Sequence, residues 1–165
     1  MIQDNTYRKQ LLASLKGLSA HISFEKTIED FPEDYYNKKI SGIQYSCWDL
    51  LEHLRIAQWD ILDFIMNPKY QTITWPDSYW PKDKGDAEKW RHSVKNYLND
   101  RKDLEAMVED NAIDLYSPIP HAPDYTIFRE IVIVIDHNSY HTGQLLLLRR
   151  ALGIWSAQYG ISDYV

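Results

Sequence analysis

The sequence has a single cysteine, Cys47, so no disulfide can form within the chain and nothing points to an oxidising compartment. No stretch approaches the ~20 apolar residues that a membrane-spanning helix needs. The opening segment, MIQDNTYRKQLLASLKG, lacks the continuous apolar core of a signal peptide. A cytoplasmic location is the expectation. Also missing is any basic stripe: 24 acidic residues oppose 18 basic ones, for a net charge of -6, and the basic residues are dispersed apart from the pairs Lys38-Lys39 and Arg149-Arg150. Neutralising phosphates supplies most non-specific affinity for nucleic acid, so nucleic acid is not an expected partner. There is no internal repeat and no low-complexity segment.

What is present fits one domain spanning residues 1–165, with 44% hydrophobic residues to build a core. Aromatic residues are abundant at 13%, with 6 Trp and 12 Tyr, and they suit a core, a pocket wall or a subunit interface equally. Four segments carry a helical period. The first runs from Gln3 to Ala20, with Leu11, Leu12, Leu15 and Leu18 recurring at helical spacing. The second starts at Ser46, where Ser46-Cys-Trp-Asp49 resembles a capping box, and ends near Asn67 before Pro68. The third follows Asp86 and reaches Asp110. The fourth is capped by Thr126 and stopped by Gly153.

Ile131-Val-Ile-Val-Ile135 has strand propensity, but it continues without a breaker into residues 137–151 and is assigned to the fourth helix. Residues 68–85, with three prolines and several aromatics, read as a long loop. It is long enough to cross a whole helix, so the bundle need not alternate up and down. The loop suits a substrate lid, a subunit contact or an ordered surface. The expected fold is all-α, a four-helix bundle.

His137 and His141 stand four residues apart, about 400° around a helix, so they share one face a single turn apart. Two imidazoles so placed can reach one metal ion, yet the spacing alone fits two hydrogen-bonded histidines as well. His53 supplies a third candidate. Its face of the second helix also carries Ser46, Asp49, Leu50, Ile56, Ala57, Asp60 and Phe64, and a histidine there needs a partner if buried. The face of His137 holds Glu130, Ile133, Val134, His141, Gln144 and Leu148. If the two faces meet, three imidazoles converge and leave open positions on the ion, the pattern of a reactive rather than a closed site. Mid-helix Gly143 fits either close helix packing or room for a substrate beside the ion.

The segment Asp136-His-Asn-Ser-Tyr-His-Thr-Gly-Gln144, followed by Leu-Leu-Leu-Leu-Arg-Arg-Ala-Leu-Gly-Ile-Trp155, resembles the C-terminal signature of the DinB/YfiT-like superfamily. Ser46-Cys-Trp-Asp-Leu-Leu-Glu-His53-Leu resembles that family's first histidine segment, and 116–130 the run-up to its last helix. The resemblance implies a four-helix bundle with a long crossover between the second and third helices, often dimeric. It also implies a divalent ion, zinc or nickel among the candidates, on His53, His137 and His141. Some relatives are thiol-dependent S-transferases or isomerases, and many have no assigned substrate.

The remaining candidates have plainer readings. His21, His92 and His121 are expected at the surface. Cys47 lies about 240° from His53 around the helix and is expected to be a buried structural thiol. Asp49, Asp60 and Glu130 are candidates for orienting an imidazole or acting as a base, against a solvated helix face as the alternative, and Asp49 leads because it lies one turn from His53. Gln144 and Tyr140 are candidate pocket groups, and Arg149 and Arg150 complement the dipole at a helix C-terminus. The combined expectation is a metal-dependent transferase that activates a low-molecular-weight thiol against a small-molecule substrate. Metal-assisted hydrolysis and non-catalytic metal binding stand as rivals.

Overall fold

The computed structural model describes residues 2–155, with side chains placed from Thr6 onward. Five α-helices lie in that range: α1 (Ile2–Leu15), α2 (Phe24–Ile28), α3 (Cys47–Met66), α4 (Ala87–Glu109) and α5 (Ile127–Ala151). A small antiparallel hairpin, β1 (Pro118–Ile119) and β2 (Ala122–Thr126), precedes α5, and 3₁₀ turns occur at Glu33–Tyr35 and Asp77–Tyr79. The chain is therefore mostly helical, as its periodicity predicts. Among the described residues no helix is long and apolar enough to cross a membrane.

The helix ends follow from local chemistry. At the start of α3, the Ser46 hydroxyl accepts from the Asp49 amide at 3.2 Å while the Asp49 carboxylate accepts from the Ser46 amide at 2.8 Å, a complete capping box. Asp86 and Thr126 cap α4 and α5 by accepting from the amides of Lys89 and Arg129. α5 stops at Ala151, two residues before Gly153, whose φ of +72° lets the amides of Gly153 and Ile154 turn back to the carbonyls of Arg150 and Arg149. The stretch Ile131–Ile135 is helical, with Ile131 and Val134 buried.

The first helix is shorter than its leucine spacing suggests. Gly17, at φ +68°, closes α1 by the same device, with Gly17 and Leu18 amides on the carbonyls of Ser14 and Ala13. The expected span to Ala20 is thus corrected to Leu15, and Leu18 lies outside the helix, 69% exposed. The hairpin at 118–126 and the short α2 carry no periodicity of their own and are additions to the four-segment reading.

α1 and α3 each pack against both α4 and α5. Along α3 and α4, Glu52 meets Ser93 and Gln58 meets the Tyr97 carbonyl. Both series ascend together, so these two helices run parallel. Consecutive parallel helices require the intervening chain to return along the length of α3, and residues 67–86 do so. The far end of that connection is fastened where it arrives: the Trp48 indole donates to the Asp83 carbonyl at 2.8 Å, and it lies so close to Gly85 that a β-carbon there would sit 2.5 Å from the ring. Only glycine fits at that contact.

Candidate metal centre

α3 and α5 carry the three histidines to one point. His53 is buried, at 2% exposure, and His137 and His141 are half-buried one turn apart on α5. The ring centroids lie 5.0 Å (His53–His137), 4.7 Å (His53–His141) and 4.5 Å (His137–His141) apart. One nitrogen from each ring lies within 4.8 Å of the others, a spacing that can hold a metal ion.

Hydrogen bonds aim the rings. The Nδ1 of His53 meets the Tyr79 carbonyl at 2.9 Å, so Nδ1 is the donor and Nε2 is left as a lone pair. His141 repeats the arrangement with the Gln144 side-chain oxygen, 2.7 Å from its Nδ1. Such outer partners fix the tautomer of metal-ligating histidines. The Nε2 atoms of His53 and His137 stand 3.1 Å apart. Two nitrogens bonded tetrahedrally to one ion at ~2.0–2.1 Å would lie roughly 3.3 Å apart, so the donor set fits a divalent cation.

The electrostatics agree with that fit. Burial, then the neighbouring imidazoles His141 and His53, holds the His137 pKa down to about 4. Burial likewise lowers His53 and His141, against the opposing hydrogen bonds from Tyr79 and Gln144. All three rings are thereby neutral at neutral pH, the form that binds metal.

The connection between α3 and α4 forms one wall. Trp80 stacks on His53 with centroids 4.2 Å apart and planes within 5°, and Tyr45 stacks on Trp80 in turn. Tyr140, 63% exposed, sets its ring edge-on to His141. Tyr79 is tied down by its phenol, which donates to the buried Asp60 carboxylate at 2.5 Å, and Tyr70 donates to the other oxygen of Asp60 at 3.0 Å.

The carboxylates fall elsewhere than the spacing suggests. Asp49, the leading candidate for orienting His53, directs its carboxylate into the capping box and lies 3.9 Å from Lys39; the partner of His53 is the Tyr79 carbonyl instead. Asp60 and Glu130 are not on a solvated face: they are 7% and 4% exposed, Asp60 held by two phenols and Glu130 by Arg129. Gln144 does reach the site, through His141.

Cys47 is fully buried, and burial pushes its thiol pKa up to about 12, so it is inert and apart from the triad. Gly143 is exposed, and a β-carbon there would meet nothing within 4 Å, which removes close packing as its reason. His21 and His92 are exposed as expected, whereas His121 is half-buried, bonded to the Phe64 carbonyl at 2.8 Å. Arg149 is buried and donates to the carbonyls of Thr27 and Ile154, a structural tie to α2 rather than only a charge at a helix end. Tyr79 and Trp80 went unassigned in the sequence because a backbone carbonyl and a stacking ring leave no spacing signature. Asp60 did leave one, seven residues from His53 on the same helical face.

The DinB family model matches residues 1–164. The chain belongs to the DinB family. Its three histidines are those on which the resemblance rests, now brought together by the fold. No curated protein matches this DinB-family chain.

Proposed function

We propose that the protein is a divalent-metal-dependent enzyme, with His53, His137 and His141 as the ligands, that transfers a group to or from a low-molecular-weight thiol. The observation that carries this reading is the all-neutral donor set. Three uncharged imidazoles converge, and the identified outer partners of two of them are a carbonyl and an amide oxygen, not carboxylates. Nothing in that set offsets the two positive charges of a divalent ion, so the site favours an anionic further ligand. A divalent ion held there would supply Lewis acidity, to a thiol sulfur in this reading or to water in a hydrolytic one.

The residues of the chain have separable tasks. Tyr79 and Gln144 hold the His53 and His141 rings so that Nε2 faces inward. Trp80 and Tyr45 cover the His53 side and exclude water there. Tyr140 leaves an exposed aromatic edge beside His141 where a small-molecule substrate can pack. Zinc and nickel both suit three imidazoles, and availability chooses between them.

Elemental analysis of the purified protein beside His53→Ala, His137→Ala and His141→Ala is the test. About one ion per chain in the parent, and almost none in each variant, is expected. Stoichiometric metal retained in His137→Ala would sink the assignment. Product formation from electrophilic substrates that requires added thiol separates transfer from hydrolysis, which needs none.

A further inference from the structure

The buried carboxylate of Asp60 touches no histidine, yet both of its oxygens are taken by one segment of chain. Tyr70 donates to Oδ1 at 3.0 Å and Tyr79 to Oδ2 at 2.5 Å. Burial, then the carboxylate itself, pushes the Tyr70 phenol up to about 12 and raises Tyr79 as well, so both remain protonated donors. The same Tyr79 presents its carbonyl to His53 Nδ1 at 2.9 Å, and the next residue, Trp80, lies flat on the His53 ring. Among the described residues, the hydrogen bond and the ring stack that His53 makes outside the triad therefore come from two adjacent residues of a loop that Asp60 holds.

We propose that Asp60 is a positioning residue of the metal centre: by clamping Tyr70 and Tyr79 it fixes the carbonyl and the indole that orient His53. This rests on reading the triad as a metal centre. Asp60 and His53 lie on the same face of α3, two turns apart, so a single rigid helix carries both the ligand and the clamp that aims it. The loop is then part of the ligand set in effect, and metal affinity depends on how firmly it is held. Partners of this outer kind commonly change affinity by 10–100-fold when removed.

The experiment is zinc titration by calorimetry on the full chain, comparing the parent with Tyr79→Phe, Tyr70→Phe, Asp60→Ala and Asp60→Asn. Tyr79→Phe keeps the ring and the carbonyl and removes only the O–H on the carboxylate. It is expected to weaken zinc binding by about tenfold, and Asp60→Ala by more, toward a hundredfold. Asp60→Asn retains a hydrogen-bonding group and should recover part of that loss. Tyr70→Phe should fall between the parent and Tyr79→Phe.

A second measurement, amide hydrogen exchange across residues 76–80 of the zinc-free protein, does not depend on metal. The Tyr79 amide donates to the Pro76 carbonyl at 3.0 Å and should exchange faster in Asp60→Ala. Zinc affinities within twofold of the parent in both Tyr79→Phe and Asp60→Ala would overturn the proposal, because a purely structural clamp lowers stability without moving affinity. If the parent itself takes up no zinc, the metal centre fails and the positioning role fails with it. Unchanged exchange in Asp60→Ala would show that the carboxylate does not hold the loop at all.

Discussion

Two polar clusters lie side by side between α3 and α5, and they end differently. In one, Asn138 donates to the Gln58 side-chain oxygen at 2.9 Å, and the Gln58 amide donates onward to the Tyr97 carbonyl of α4 at 2.7 Å. In the other, His53, His137 and His141 turn nitrogens toward one another. An amide carries a donor and an acceptor, so Gln58 can accept from Asn138 and donate to Tyr97, which ties three helices together. Imidazoles whose N–H groups already point outward, as in His53 and His141, present lone pairs inward, and the Nε2 of His137, 3.1 Å from that of His53, can offer at most one N–H to them. In the first cluster the Gln58 amide is satisfied at both ends by protein groups. The second offers a divalent cation three converging nitrogen donors.

That contrast can be broken by exchanging the expected losses. His53→Ala should weaken zinc binding by well over about a hundredfold while leaving the zinc-free protein helical by circular dichroism. Gln58→Ala should do the reverse, since it strands the buried Asn138 amide, leaves a gap in the core and removes the tie to α4. A destabilisation of about 1–3 kcal/mol in urea unfolding is expected, with zinc affinity changed by less than roughly threefold. If Gln58→Ala lost zinc as completely as His53→Ala, the two clusters would be one functional unit and the distinction would fail.

A pH series sharpens the same comparison, because the amides do not titrate and the imidazoles do. The folded-state pKa of His137 is depressed to about 4 by burial and by its two neighbours. A histidine in the unfolded chain titrates near ~6.5. Between these values the unfolded state binds the proton that the folded state refuses, so stability is fully present above about pH 6.5 and falls as pH drops toward 4. Urea unfolding in the presence of a chelator should show this decline, and His137→Gln should make it shallower, leaving the share that the lowered His53 and His141 contribute. A parent whose stability is constant from pH 7 to 4.5 would contradict the depressed value.

The sequence exposes the triad more readily than its supports, and the reason is physical. Helical period puts His137 and His141 on one face, the capping box places the helix that carries His53, and the resemblance to the DinB family joins the three as one ligand set. The helix starts at Ser46, Asp86 and Thr126 were legible for the same reason, and so was the stop at Gly153. Gly17 offered an equal signal, but the leucine spacing running past it pointed the other way. What local pattern cannot contain is the pairing of distant groups. Tyr79 reaches His53 through a carbonyl, which every residue has, and Gln58 finds Asn138 across 80 positions. Asp49 is ambiguous in the sequence because one carboxylate can serve the helix start or the neighbouring turn, and the amide and hydroxyl of Ser46 at the start of α3 take it.

The third face of α5, turned to solvent, supplies the smallest effect and the cleanest control. Gly143 lies in the middle of the helix, with a φ outside the left-handed region and nothing within 4 Å of where a β-carbon would stand. An alanine there meets no neighbour, and it restricts the unfolded chain more than glycine does. Gly143→Ala should therefore stabilise the protein by about 0.5–1 kcal/mol, read as a higher urea midpoint at unchanged slope. Zinc affinity should not move, although position 143 is only two residues from His141, because successive helical residues point about 100° apart. A loss of zinc binding or of activity in this variant would mean that the bare backbone at 143 is used by a ligand, and the solvent face of α5 would have to be counted as part of the site.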